Sequence, residues 1–303
     1  MHNRGAEMNE HNSKHLIDRF LVRPGKTISL RKDFDPGYTA HYLRKEDADA
    51  LLQSDVERLA ELQDKLFAQK TSALLVILQA MDAAGKDSVI KHVMSGLNPQ
   101  GCHVRSFKEP SAEELEHDYL WRSSKAVPGR GLIGIFNRSH YEEVLVVRVH
   151  PELLARQCLP ASPKTGNIWQ RRFNEINAFE SYLVDNGIVV LKFFLYLSRA
   201  EQKRRFLERI DRPEKNWKFS AGDVRERAYW DGYMDAYQDA LNYTSTSAAP
   251  WYVVPADHKW FTRLGVAAVI AAKLEELQPS YPTLSEAQRQ ELAVARKLLE
   301  PEE

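Results

Sequence analysis

LLVILQAMDAAGKDSVIKHV, residues 74–93, is the stretch of this chain that decides its fold. An apolar run leads into a turn of small residues and then into helical spacing, which predicts a buried strand, a tight turn and a helix. The turn AMDAAGKDS, residues 80–88, has the spacing of a phosphate-binding P-loop. It departs from the common pattern at Ala80, where glycine is usual, and at Asp87, where serine or threonine is usual.

The residue types in this turn suit a phosphate group and a metal ion. Gly85 lets the backbone approach an anion, and the amides at a helix start attract negative charge. Lys86 adds a mobile positive charge for a phosphoryl group in transit. The carboxylates of Asp82 and Asp87 would repel phosphate unless a divalent cation lay between them, so the sequence predicts Mg2+ here. An ordinary strand-to-helix turn with a solvated lysine is the alternative interpretation.

Composition limits the classes of protein that this chain can represent. The 303 residues are 43% hydrophobic, and 42 basic residues balance 42 acidic ones, so a strongly basic nucleic-acid binder is not expected. Two cysteines argue against a disulfide framework and favour the reducing cytoplasm. The N-terminus is polar, so a signal peptide is not expected. No apolar run is long enough to predict a membrane span.

Strand-like and helical segments alternate along most of the chain. Apolar runs predict strands at 74–79, 103–107, 131–136, 188–197 and 251–255, with helices between them that include 112–125 and 139–149. This alternation predicts an α/β fold with a central parallel five-stranded sheet between helices, a three-layer sandwich. We expect a partly irregular N-terminal arm over 1–44, a core over 45–278 with a helical lid at about 199–222, and a helical tail over 279–303.

The third predicted strand runs into polar residues where α/β proteins usually bind ligands. Asn137 and Arg138 follow this strand, and Glu142 comes one turn later. The carboxyl edge of an open sheet is the usual ligand site, so Arg138 is a candidate phosphate contact. Asn137 is either an N-cap for the helix near Ser139 or a contact to metal-bound water.

Two further segments carry candidate ligand-binding residues. A basic run after the fourth strand predicts a lid that closes over phosphates, because arginine grips phosphate in a bidentate way. Its candidates are Arg204, Arg205, Arg209, Arg212, Lys215 and Lys218. After the second strand, Asp118 and Arg122 are four residues apart and could face a nucleotide acceptor; a surface ion pair is the alternative.

Taken in order, four segments resemble the polyphosphate kinase 2 family. They are AMDAAGKDS, FNRSHYEEVLVVRVHPE, QKRRFLERIDRPEKNWKFS and APWYVVPADHKWF. The resemblance implies a P-loop kinase-like fold and Mg2+-dependent, reversible phosphoryl transfer between inorganic polyphosphate and the nucleotides AMP, ADP and ATP, with guanine nucleotides as further candidates. It also implies a homo-oligomer, either a dimer or a tetramer.

The same resemblance implies roles for single residues. Asp82 would bind or orient magnesium and help to deprotonate the acceptor phosphate, Lys86 would hold the transferring group, and Asp87 would lie near the metal. Arg138 would contact nucleotide or polyphosphate, and the basic run would form the lid. The backbone of Ala83, Ala84 and Gly85, together with Ser88, completes the predicted phosphate site. Many relatives have Asp where this chain has Asn137, and Asn137 with Glu142 indicates the subgroup, class III, that accepts both AMP and ADP.

Three other functions fit parts of the sequence. An ATP-dependent nucleotide kinase could use the same fold and differ only in its donor. A phosphate-binding scaffold without turnover is the second alternative, and Asn137 is its best support. A nucleic-acid binder using the basic helix is the third, and the balanced charge argues against it.

Overall fold

The computed structural model describes residues 14–40, 44–157, 159 and 167–300. Its strands are β1 (Leu21–Val22), β2 (Ala73–Gln79), β3 (Cys102–Ser106), β4 (Ile133–Asn137), β5 (Ile188–Tyr196) and β6 (Trp251–Pro255). The longer helices are α1 (Lys45–Gln69), α2 (Lys86–Val93), α3 (Ile168–Asp185), α4 (Arg199–Asp211), α5 (Trp230–Thr244), α6 (Lys259–Glu276) and α7 (Glu286–Leu299).

Shorter helical segments connect these elements. The short α-helices are Leu30–Asp33, Ala112–Glu116, Trp121–Ser124, Val146–Val149, Pro151–Arg156 and Ala221–Glu226, and residues 14–20 are also helical. The 3-10 turns are Pro99–Gly101, His140–Glu143, Pro213–Lys218 and Arg227–Tyr229. None of the helices in the described ranges is long and apolar enough to cross a membrane.

The strands form one mixed sheet in the order β1-β6-β5-β2-β4-β3. Strands β2 to β6 are parallel, as the sequence predicted, and β1 adds a sixth strand antiparallel to β6. The predicted α/β fold is therefore confirmed, with one strand more than expected. The sequence did not indicate β1 because its two residues are too short for a recognisable alternation.

Helices cover both faces of this sheet, as the strand sequence requires. All seven residues of β2 are buried, and alternate side chains point to opposite faces. Leu74, Val76 and Leu78 join the core that α1, α2 and α6 cover. Leu75 and Ile77 join the core beneath α3 and α5. The loop after β2 is therefore held by a strand that is packed on both sides.

Two predicted helices are broken in the structure. The segment expected as one helix at 112–125 forms two short helices, because His117 adopts an extended conformation between them. The segment expected at 139–149 begins as the 3-10 turn His140–Glu143 and continues as Val146–Val149. The sequence predicts residues 1–15 to be disordered or loosely attached; residues 1–13 lie outside the described ranges, and residues 14 and 15 begin the helical segment 14–20.

One buried carboxyl on α1 gives a stability prediction. Asp55 is 7% exposed, and burial raises its pKa to about 6 while Arg58 opposes the shift. The folded-state pKa of Asp55 lies above its unfolded value, so ionisation of Asp55 destabilises the fold. The contribution of Asp55 to stability therefore falls between about pH 4 and pH 6 and is constant above that range. We expect Asp55→Asn to add roughly 2–3 kcal/mol at pH 7 and almost nothing at pH 4.

Urea denaturation across this pH range measures the effect of Asp55→Asn. Glu57→Gln is the matched control, because Glu57 is exposed on the same helix. The control should change stability by less than about 0.5 kcal/mol at every pH. A gain for Asp55→Asn that is the same at pH 4 and pH 7 would contradict the assigned cause.

Candidate functional site

The loop between β2 and α2 has the backbone shape of an anion site. Ala83 has φ +64° and Gly85 has φ +113°, both in the left-handed region. Glycine adopts this conformation freely, whereas alanine is strained there by about 1 kcal/mol or more. Gly85 is the N-cap of α2 and supplies no side chain, so the first amides of that helix stay open toward the loop.

Lys86 folds back over this loop from the first position of α2. Its Nζ donates to the carbonyl oxygen of Ala80 at 2.9 Å and lies 3.5 Å from that of Met81. Burial lowers the pKa of the Lys86 amine to about 8; Arg138 adds to this effect, and the carboxylates of Asp82 and Glu142 oppose it. An ammonium group that is partly stripped of water in this way gains from an anionic ligand.

Arg138 joins the loop to the end of the neighbouring strand. The register of β2 with β4 pairs Leu78 with Asn137, which puts Arg138 beside the loop. The Arg138 guanidinium donates to Asp82 Oδ1 at 2.6 Å and to Glu142 Oε2 at 3.0 Å. Glu142 chiefly raises the pKa of the Arg138 guanidinium, although burial opposes this. Arg138 also has φ +64°, so its backbone is strained at the point where it meets both carboxylates.

Asn137 contacts the second loop carboxylate. Its Nδ2 donates to Asp87 Oδ1 at 2.7 Å. The N-cap of the following turn is Ser139, whose Oγ accepts from the Tyr141 amide at 3.1 Å. Of the two roles that the sequence left open for Asn137, capping therefore belongs to Ser139, and Asn137 lies beside Asp87.

The charges of this cluster favour a divalent cation. Asp82, Asp87 and Glu142 surround Lys86 and Arg138, so the cluster keeps one excess negative charge at the place where phosphate is expected. One oxygen of Asp82 and one oxygen of Asp87 each accept a hydrogen bond from a neighbouring side chain. The second oxygen of each carboxylate is left for a metal ion or its water. Oxygen donors of this kind fit Mg2+, which usually binds one or two carboxylates together with phosphate oxygens.

A small open cleft lies beside this cluster. It is lined by Asp82, Arg138, Glu142 and, across the opening, Glu226 and Tyr233. Glu226 is fixed there by Tyr233 Oη at 2.8 Å and by His150 Nε2 at 2.9 Å. Neither Glu226 nor Tyr233 was a candidate from the sequence, because only the fold of the segment after α4 brings them back to the loop.

The basic run on α4 and the following turn pairs mainly with its own carboxylates. Arg204 binds Glu201 at 2.6 Å, and Arg209 approaches Asp223 at 3.3 Å. Arg212 and Lys215 both contact Glu208, whose pKa falls to about 2, chiefly through Lys215. Lys218 lies over the exposed ring of Trp217. The lid role of these residues stays a prediction.

Arg205 differs from its neighbours on α4. Its side chain is only 4% exposed, and its guanidinium donates to the carbonyl oxygens of Ala83 and Ala84, each at 2.9 Å. The sequence assigned Arg205 to the lid together with the exposed arginines. The structure instead places it beneath the phosphate loop, because residue 205 falls on the buried face of α4 together with Gln202 and Phe206.

The other predicted pair, Asp118 and Arg122, stabilises local structure. Asp118 Oδ1 accepts from the Leu120 amide at 2.9 Å. Arg122 donates to the Lys108 carbonyl at 2.8 Å and to Glu114 at 3.4 Å. The two side chains therefore serve different partners, and a role toward the acceptor nucleotide stays a prediction.

A further arginine reaches the phosphate loop from α6. Arg263 donates to Ser88 Oγ from both Nη2, at 2.9 Å, and Nε, at 3.2 Å. Burial lowers the pKa of the Arg263 guanidinium. The sequence gave no signal for this contact, since a single arginine on an apolar helix is typical of many proteins.

A mostly parallel sheet with a turn of P-loop spacing, and with a cluster of carboxylates and cations at its carboxyl edge, defines a phosphoryl-transfer protein of the P-loop kinase-like class. The family model "Polyphosphate kinase 2 (PPK2)" matches residues 42–282. The chain belongs to the polyphosphate kinase 2 family, and the prediction that it is an enzyme of this family is confirmed.

Curated relatives and a solved structure agree with this assignment. The chain is 52% identical to an ADP-polyphosphate phosphotransferase of Rhodopseudomonas palustris, over 93% of this chain and 97% of the relative. It is 44% identical to an AMP/ADP-polyphosphate phosphotransferase of Meiothermus ruber, over 88% and 96%. The crystal structure of polyphosphate kinase 2 from Arthrobacter aurescens superimposes with a TM-score of 0.81 at 44% identity, covering 90% of this chain and 95% of that one.

Proposed function

We propose that this chain transfers phosphoryl groups between inorganic polyphosphate and the nucleotides AMP and ADP, using Mg2+. The observation that carries the proposal is the convergence of Lys86, Arg138 and the carboxylates of Asp82 and Asp87 at the start of α2. The names of the relatives from R. palustris and M. ruber support polyphosphate as the donor and ADP or AMP as the acceptor.

The chemistry needs positioning and charge neutralisation. A phosphate oxygen of the acceptor attacks the terminal phosphorus of polyphosphate, the bridging P–O bond breaks, and the chain leaves one phosphate shorter. The attacking oxygen is already ionised near neutral pH, so no strong base is required. Lys86 and Arg138 stabilise the charge on the transferring group, and Asp82 and Asp87 would hold Mg2+, which supplies charge neutralisation between donor and acceptor oxygens.

One experiment tests donor and acceptor together. Purified protein is incubated with Mg2+ and long-chain polyphosphate plus AMP, ADP or GDP, and the nucleotides are separated by anion-exchange chromatography. We expect AMP to give ADP and then ATP. Parallel reactions with ATP in place of polyphosphate test the alternative of an ATP-dependent kinase. Product from ATP and AMP alone, with none from polyphosphate, would overturn the proposal.

Metal removal gives a separate prediction. EDTA in excess should reduce transfer by at least about 100-fold, because the two loop carboxylates then face phosphate without a cation between them. Added Mg2+ should restore activity. In the Asp82→Asn variant, the Mg2+ concentration that gives half-maximal rate should rise about tenfold or more, since one anionic ligand is lost. Full activity in EDTA would contradict the predicted metal site.

A further inference from the structure

Backbone carbonyls of the phosphate loop are held from one side by the side chains of α4. Gln202 Nε2 donates to the Asp82 carbonyl at 2.9 Å, and Arg205 Nη1 donates to the carbonyls of Ala83 and Ala84, each at 2.9 Å. Three consecutive carbonyl oxygens of the loop therefore accept hydrogen bonds from two side chains that are one helical turn apart. We call Gln202 and Arg205 the carbonyl clamp.

The guanidinium of Arg205 has no N–H left for a substrate. A guanidinium carries five N–H donors. In Arg205, Nε donates to Glu201 Oε1 at 2.7 Å, and Nη2 donates to the carbonyls of Ala256 at 2.6 Å and Asp257 at 3.1 Å. With the two contacts of Nη1 to the loop, all five are used. Phosphate binding by Arg205 would require breaking bonds in a nearly dry environment, which is costly.

Holding these carbonyls also sets the direction of the loop amides. A trans peptide is planar, so its C=O and the N–H of the next residue point to opposite sides. Fixing the carbonyls of Asp82 and Ala84 toward α4 directs the amides of Ala83 and Gly85 away from it. The amide between them, on Ala84, closes a turn to the Met81 carbonyl at 3.3 Å.

The clamp is itself fixed by other parts of the molecule. Gln202 Oε1 accepts from Arg227 Nη1 at 2.7 Å, which orients the Gln202 amide with its NH2 toward the loop. Arg205 also reaches the loop after β6 through Ala256 and Asp257. The segments that follow β2, β5 and β6 are thus joined through two side chains.

We propose that Gln202 and Arg205 are positioning residues that shape the phosphate loop for transfer, and that Arg205 is not a ligand of polyphosphate. The proposal rests on the proposed phosphate-binding role of residues 80–88. Gln202 is the informative member of the pair, because it is neutral and gives no electrostatic attraction to a polyanion. A loss of activity on its replacement reports the shape of the loop.

The test compares Gln202→Leu and Arg205→Lys with the wild type in kcat, in KM for polyphosphate and in urea midpoint. Gln63→Leu is the matched control for the first, since Gln63 is also buried and holds the backbone of Asn98 through both ends of its amide. Arg58→Lys is the control for an arginine-to-lysine change outside the loop, since Arg58 of α1 pairs with Glu275 of α6. Both clamp variants should lose about 10- to 100-fold in kcat/KM, because small displacements of reacting groups have effects of this size.

The controls separate a positioning role from a loss of stability. Gln63→Leu should lower the urea midpoint about as much as Gln202→Leu and keep kcat/KM within about twofold of wild type. Arg58→Lys keeps the charge of a partly exposed pair, so it should change the urea midpoint and kcat/KM little. A Gln202→Leu enzyme within twofold of wild type would overturn the proposal. So would an Arg205→Lys enzyme whose only change is a salt-dependent rise in KM for polyphosphate. Lys86→Met, assayed in parallel, tests the phosphate site itself: if it stays active, the role of the loop fails rather than that of the clamp.

Discussion

Lys86→Met is expected to lower kcat for polyphosphate-dependent nucleotide phosphorylation by about 10³-fold or more while the protein stays folded. The Lys86 amine is partly stripped of water between Arg138 and the carboxylates of Asp82 and Glu142, and burial lowers its pKa to about 8. A phosphoryl group arriving there replaces the missing water. Methionine fills a similar volume and leaves the developing charge on the transferring group without its nearest cation.

Steady-state rates with circular dichroism as a check on folding measure the Lys86→Met effect. Lys91→Met is the matched control, because Lys91 lies on the same helix and is exposed to solvent. It should keep kcat within about twofold. A Lys86→Met enzyme within tenfold of wild type would show that the transferring group binds elsewhere.

The second large effect concerns stability. Lys192 is fully buried in β5, and its Nζ donates to Glu180 Oε2 at 2.5 Å, Thr244 O at 2.7 Å and Tyr141 Oη at 2.9 Å. Burial lowers the pKa of the Lys192 amine. We expect Lys192→Met to lower the free energy of unfolding by about 3–5 kcal/mol, because Glu180 then stays buried without its cation.

A double replacement distinguishes the lost pair from the lost packing. Lys192→Met with Glu180→Met removes both charges and should recover at least about half of the deficit, since a buried pair can be exchanged for apolar residues at little cost. Urea denaturation followed by circular dichroism measures all variants. A double variant less stable than Lys192→Met alone would contradict this explanation. Because Tyr141 adjoins Glu142, the single variant should also lose activity.

The sequence predicted the parts of the site that follow directly from strand ends. Asp82 and Lys86 follow β2, Arg138 follows β4, and the parallel register of these two strands brings them together. Such contacts can be predicted because parallel strands bring their carboxyl ends to one edge. The sequence did not give the order of the strands in the sheet, and the pairing of β2 with β4 in the structure is what brings Arg138 beside the loop.

Contacts that depend on the orientation of a helix could not be predicted in this way. Arg204 and Arg205 are adjacent in a basic run, yet one is exposed and the other lies beneath the loop. Gln202 carries no charge and belongs to no recognisable pattern. The pattern of charges on α4 predicts which face of the helix is exposed to solvent. It does not predict which side chain contacts which carbonyl, because that depends on how the helix packs.

Several predictions from the sequence remain to be tested in solution. They are the closing of the basic lid, the dimer or tetramer, the cytoplasmic location and the use of guanine nucleotides. Size-exclusion chromatography with light scattering measures the mass of the assembly directly. The reaction with GDP described above tests the base preference.

The short first strand has a consequence for how the chain is made. Leu21 pairs with Tyr252, and Ser245 Oγ donates to the Val22 carbonyl across 223 residues of sequence. On the ribosome, the N-terminal segment must wait for β6 to emerge, which takes roughly 10–45 s at ordinary synthesis rates of about 5–20 residues per second. During that interval Leu21 and Val22 have no strand to pair with, so we expect this segment to join the sheet only after the residues of β6 have been made.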